Sequence, residues 1–194
     1  MKKFELTSEF ITNIFGTKLF RIKALIEFGN VKAGELGGFV EKEENLSQDG
    51  NAWVYDNARV YGNARVYGDA RVYDNARVHG NAWVHGNARV HGNACVYGNA
   101  CVCGDACVCG DARVCGDACV YGDAGYATVH GFGSEYRTTT FFKTKAGVGV
   151  KCGCFYGNLS EFRKKVVEIH GETKKAKEYL MLADLMEFRF SDNS

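Results

Sequence analysis

Between Asn51 and Gly122 the apolar positions recur every six residues without a slip. This 72-residue block is twelve copies of Asn/Asp-Ala-x-Val-x-Gly/Asp, beginning Asn51-Ala52-Trp53-Val54-Tyr55-Asp56. Ala in the second slot and Val in the fourth are its only invariant apolar positions. Two residues apart, they fall on one side of an extended strand, and the residues between and after them fall on the other. A strand this short buries nothing alone. The pattern therefore predicts a coil of three hexads per turn, about 18 residues, with turns stacked at roughly 4.8 Å. Asn, Asp and Gly mark the corners, where they tolerate a left-handed backbone. Twelve hexads make four turns.

The flanks break this period. Leu46 and Val40 lie six and twelve residues before Ala52, which predicts them in the Ala slot of a degenerate first turn starting near Val31. Ala127-Thr128-Val129-His130-Gly131 repeats the motif three residues late, so an insertion is expected around Gly125-Tyr126, where the regular coil ends. Residues 3–28 read as strands. Phe20, Ile22, Ala24 and Ile26 alternate with Arg21, Lys23 and Leu25, and Gly16 marks a hairpin turn. This segment is expected to cover the otherwise open first rung. Beyond the coil, a hairpin turning at Lys145-Ala146-Gly147 is followed by a helix from Ser160, capped by Asn158 or Ser160. Leu159, Phe162, Val166 and Ile169 form its apolar stripe, and Gly171 stops it. A second helix is predicted from Thr173 to about Glu187, with Ala176, Tyr179, Leu180, Ala183 and Met186 inward. Phe188-Arg189-Phe190 reads as a returning strand.

These hexads resemble the left-handed β-helix of hexapeptide-repeat proteins, whose best known members are trimeric acyltransferases. The stretch Phe28-Gly29-Asn30-Val31-Lys32-Ala33-Gly34-Glu35-Leu36-Gly37-Gly38-Phe39-Val40, with Asn45-Leu46-Ser47-Gln48, is similar to the N-terminal cap of the YdcK-like hexapeptide proteins of bacteria. Similar short chains are encoded by phages and prophages. The resemblance covers roughly residues 20–125. It implies a left-handed parallel β-helix over 31–131, and with the flanks read above the chain is mainly β, with an N-terminal β cap over 1–30 and a C-terminal α+β unit over 132–194.

Composition narrows the classes of function. The chain has 194 residues, 46% hydrophobic and 24% charged, which is a folding composition. With 24 Lys and Arg against 23 Asp and Glu, the net charge of +1 offers no bulk attraction to nucleic acid. No apolar run suits a membrane span. No signal-peptide core follows Met1-Lys2-Lys3-Phe4, so a cytoplasmic location is expected, that of the host cell if a phage encodes the chain. The nine cysteines then read as reduced thiols.

Stacking at a spacing of 18 residues predicts outward ladders. The third slot carries Arg in half of the hexads and Trp or Cys in the rest, and the fifth carries Tyr, His and Cys. His79, His85 and His91 fill a slot that Tyr fills elsewhere, which points to covering and not to catalysis. Cys101-Val102-Cys103 and Cys107-Val108-Cys109 each place two thiols on one face. A zinc site usually uses a C-x2-C pair, and C-x-C on a flat sheet fits it poorly, so no metal and no cofactor are expected. Cys152-Gly153-Cys154 is read as interior packing of a strand from Val148 to Phe155.

Twelve near-identical hexads are poor material for one specific site. The C-terminal unit holds a mixed set instead. Ser134, Arg137 and Thr139 precede its hairpin, and Lys143, His170 and Lys174 are expected at the hairpin–helix boundary. Such cations suit an anionic ligand or an acidic protein patch. The expected function is a noncatalytic interaction scaffold and homo-oligomer, a trimer by preference. Its partner would be a host protein, such as a defence factor, or a small anionic ligand. The alternative is an acyltransferase-like enzyme, for which the resemblance implies a His general base near a loop that leaves the coil, at a subunit boundary; His130, at the insertion, is the candidate.

Overall fold

The structure is a computed structural model, and it describes residues 1–133 and 137–191. Each hexad forms one two-residue strand, from Trp53–Val54 to Cys119–Val120. We label these twelve strands β4–β15, after β1 (Phe4–Thr12), β2 (Lys18–Ala24) and β3 (Leu36–Val40). They stack in parallel on three faces, each residue opposite the one 18 further on, as in Trp53↔Arg71 and Arg71↔Arg89. With β3 as a fifth rung on one face, the coil is a parallel β-helix of about five turns.

The physical reason for the hexad is now explicit. Every Ala and Val of the repeat is buried, at 0–1% exposure, so away from its two ends the interior is filled mainly by small and β-branched side chains. Amides of the first, third and fifth slots donate to carbonyls of the next turn, as in Asn75 N–H to Gly92 O (3.0 Å), Arg77 N–H to Ala94 O (2.9 Å) and His79 N–H to Val96 O (3.0 Å). The sixth slot turns the corner with positive φ, +71° at Gly80 and +58° at Asp74. A Cβ at Gly98 would lie 2.8 Å from the Gly116 amide nitrogen, so stacked corners leave little room for a larger residue. Side chains of the first slot also pair up the corners: Asn63 Nδ2 donates to Asn81 Oδ1 (3.2 Å) and Asn81 Nδ2 to Asn99 Oδ1 (3.1 Å).

The first turn is not in the expected phase. Val40 and Leu46 pair with Val60 and Val66, so they occupy the Val slot, 20 residues before their partners. Two extra residues lie between Leu46 and Trp53, where Gln48 leaves the coil to bond the backbone of Lys3 and Phe4. The cap itself is antiparallel: β1 pairs with β2, and β2 with β3, which then turns its other edge to the coil. Phe4 and Phe28 pack edge-on against Trp53, which is fully buried although its slot faces outward elsewhere.

At the far end, β16 (Tyr126–Val129) does not add a rung. It pairs antiparallel with β17 (Thr139–Thr144), which pairs with β18 (Gly147–Cys152) and that with β19 (Phe155–Asn158). Two helices follow, α1 (Leu159–His170) and α2 (Lys174–Phe190). Asn158 caps α1 in a reciprocal box with Glu161, and Thr173 caps α2. Adjacent residues of β17 face opposite ways: Phe142 joins the core of the coil, and Phe141 joins the core under the helices. The sheet is therefore a plate between the last rung and the helix pair. Arg163 ties the helices together through Asp184 (2.7 Å) and Glu187 (2.6 Å).

Three further expectations change. Phe188–Phe190 stays helical, as the last turn of α2. Cys152-Gly153-Cys154 is not strand interior: β18 ends at Cys152, Gly153 turns with φ +55°, and Cys154 is exposed. Ile169, expected on the apolar stripe of α1, is exposed, while Leu159, Phe162 and Val166 are buried.

Replacing Val84 by Asp puts a carboxylate between rungs that hold only alkyl groups. The expected loss is several kcal/mol, roughly 3 or more, seen as a collapse of the thermal transition by circular dichroism. A Val84→Asp chain with unchanged melting would contradict the packing described. Lys3 supplies a pH test. Its ammonium donates to Gly50 O (3.3 Å) and Ala52 O (3.0 Å), and burial lowers it from 10.5 to about 8, against a small opposing effect of Asp49. Between about pH 8 and 10.5 the unfolded chain holds a proton the folded chain has lost, so stability should rise with pH across that window. The expected difference from Lys3→Met, which removes this titration, is of order 2–3 kcal/mol, measured by denaturant unfolding at pH 7.5 and pH 10. Parallel pH profiles for the two proteins would rule the burial penalty out.

Candidate functional site

The C-terminal unit contains a groove of about 530 Å³ between the β18–β19 turn and the two helices. Arg137 and His170 both line it, with Phe155, Phe162, Val166 and Ile169 as apolar lining. The Arg137 guanidinium lies close over the Gly153 turn, where a Cβ would come within 2.8 Å of Nη1. Tyr179 of α2 stacks on His170 at 5.8 Å between centroids and meets Phe162 edge-on at 5.7 Å, which fixes one wall. Lys165 also borders the groove, its charge paired with Glu168 at 2.8 Å. The combination of a guanidinium, an imidazole and flat apolar walls suits a planar or anionic group.

The candidates named from the sequence divide accordingly. Arg137 and His170 come together in the groove. Thr139 is buried behind it, its hydroxyl donating to Cys152 Sγ (3.1 Å), so it supports a wall and offers nothing to a ligand. Lys143 and Lys174 are exposed and do not line it. Ser134 lies outside the described residues. His130 is exposed at the end of β16, with Nδ1 3.1 Å from the Thr138 hydroxyl. Sequence inspection missed Tyr179, Lys165 and the Gly153 turn. The Gly between two cysteines was the signal for that turn.

The coil carries a second concentration of chemistry. Its fifth-slot rings stack as ladders: Tyr61 on His79 at 4.8 Å, His79 on Tyr97 at 5.1 Å, Tyr67 on His85 at 4.7 Å and Tyr73 on His91 at 4.6 Å. Burial, and next the Arg77 guanidinium, lowers the His79 imidazole. Each His also reaches a sulfur diagonally across the rungs, 16 residues on: His79 to Cys95 (3.5 Å), His85 to Cys101 (3.5 Å) and His91 to Cys107 (3.3 Å). Burial pushes the Cys101 thiol up to about 12, with Cys103 and Cys119 adding to the effect, so it is not an activated nucleophile.

Fold and repeat together define a parallel β-helix protein of the hexapeptide type. The YdcK beta solenoid repeat family matches residues 52–68, 58–71 and 70–86, all within the coil. The chain is also 40% identical over 63 residues to the Uncharacterized acetyltransferase YdcK of Escherichia coli (strain K12). That alignment takes in 29% of this chain and 19% of the relative, so the chain spans about a fifth of the relative's length. No helix among the described residues is long and apolar enough to cross a membrane.

Proposed function

We propose that the protein is a noncatalytic scaffold: a rigid β-helix that carries a recognition and self-association unit at its C-terminal end. One observation supports this most. Helix α2 buries Ala176, Tyr179, Ala183, Met186 and Phe190, yet on another side it exposes Met181 (70%), Leu185 (54%) and Phe188 (72%). These are spaced i, i+4, i+7, so they form one apolar stripe on a helix that already has its core face. Such a stripe marks an interaction surface. A second and third copy of this chain are its occupants in this proposal, and the Arg137–His170 groove beside α1 takes an anionic partner group. A host protein as that partner rests on the resemblance to phage-encoded chains alone.

The second proposal is acyl transfer. It is supported by the name of the relative, an acetyltransferase, and by an exposed His130 at the end of β16, within ten residues of the last rung, beside the Thr138 hydroxyl.

Sedimentation of the purified chain, with Leu185→Glu/Phe188→Glu beside it, tests the scaffold. The wild type should be an oligomer, a trimer, at micromolar concentration, and the variant a monomer with the same circular dichroism. A wild-type monomer would overturn self-association through α2. Acetyl transfer from an acetyl thioester that vanishes in His130→Ala would replace the scaffold with the enzyme.

A further inference from the structure

We propose that His85, Cys101 and Cys103 form a binding site for a thiophilic divalent cation, Zn²⁺. Among the described residues the donor atoms of these three lie within 4.8 Å of one another, and His85 Nε2 is 3.5 Å from Cys101 Sγ. The coil explains why they converge. Cys103 sits directly over His85 in the fifth-slot ladder, one turn on. Cys101 is on the same rung in the third slot, and the imidazole leans diagonally toward it. The C-x-C pair is thus completed from the turn before, which overcomes the poor fit of C-x-C on a flat sheet. Cys119, the register partner of Cys101, interacts with both sulfurs and is exposed enough to swing in as a fourth ligand. One imidazole and two or three thiolates are a donor set suited to tetrahedral zinc. Metal–ligand distances of roughly 2.0–2.3 Å require only that side chains already in contact close inward. Each cysteine gives its proton to solvent as it binds.

The neighbouring faces act as built-in comparisons. His91, Cys107 and Cys109 repeat the triad one hexad later. His79 reaches Cys95 in the same diagonal, but the residue stacked over it is Tyr97, and among the described residues no third ligand atom lies within 4.8 Å of both. In earlier turns the third slot holds Arg or Trp and the fifth Tyr, and the sulfurs appear only where a His precedes them by one turn or follow from such a rung. Surface thiols without a ligand would be poor cover for a β face, being prone to oxidation.

The triad is tested in the full chain, in a background where the second copy is removed by His91→Tyr, Cys107→Arg and Cys109→Tyr. These residues fill the same slots in other hexads, so the coil keeps its stacking, which circular dichroism checks. The chain is reduced, stripped with chelator and titrated with Co²⁺, then with Zn²⁺ against a chromophoric chelator. The expected result is one equivalent with thiolate-to-cobalt charge transfer and strong tetrahedral visible bands. Adding His85→Tyr, Cys101→Arg and Cys103→Tyr should abolish both and weaken zinc binding at least about 100-fold, since losing even supporting groups costs 10–100-fold. Cys95→Arg, which breaks only the two-ligand face, should change nothing. Weak, octahedral cobalt spectra, or zinc affinity unchanged by the triad replacements, would overturn the site.

Discussion

The molecule depends on one constraint: each turn of the coil satisfies its backbone and its core only through the next turn. First-, third- and fifth-slot amides find carbonyls one rung away, and between its two ends the coil is filled almost entirely by the Ala and Val side chains of successive rungs. No rung is stable alone, so both ends are a problem. The chain solves the two ends differently. At the start β3 is shared between an antiparallel cap and the first parallel rung, with Trp53 enclosed by Phe4 and Phe28. At the finish a separate sheet lies across the last rung and sends Phe142 into the core of the coil. Thr140 accepts the Arg113 amide (3.0 Å), and Tyr126 accepts the Cys109 amide (3.2 Å), so the plate also satisfies edge donors.

That division of labour shapes function. The coil repeats one surface many times, and its individuality lies only in which outward slots were changed. The plate and helices are used once each. A groove with a guanidinium, an imidazole and aromatic walls, next to an apolar helix stripe, is the kind of non-repeating surface that recognition requires.

Much of the fold was legible because the hexad is short and strict. The inward slots, the corners and the 18-residue ladders follow from strand geometry alone. The start of the coil was not, since two extra residues between Leu46 and Trp53 shift Val40 and Leu46 into a different slot while leaving their six-residue spacing intact. Phe188–Phe190 alternates like a strand, but helix α2 carries it on and leaves Phe188 outside. The groove was half legible. Arg137 and His170 line the same groove, but Lys143 and Lys174, close to them in sequence, are exposed and do not line it, because proximity in sequence says nothing about which face a side chain takes. The His–Cys diagonals escaped for a related reason: stacking at 18 was visible, but the lean of an imidazole toward a residue 16 away is a property of side chains.

Amide hydrogen exchange of the wild type and of Phe142→Ala tests the claim that the coil stands only while its ends are closed. The wild type should protect the inter-rung amides from Trp53 to Cys103 as one block, opening only with global unfolding. In Phe142→Ala, protection should be lost first at Cys101 and Cys103 and progressively less toward Trp53. Unchanged protection of the last rungs in that variant would contradict the account.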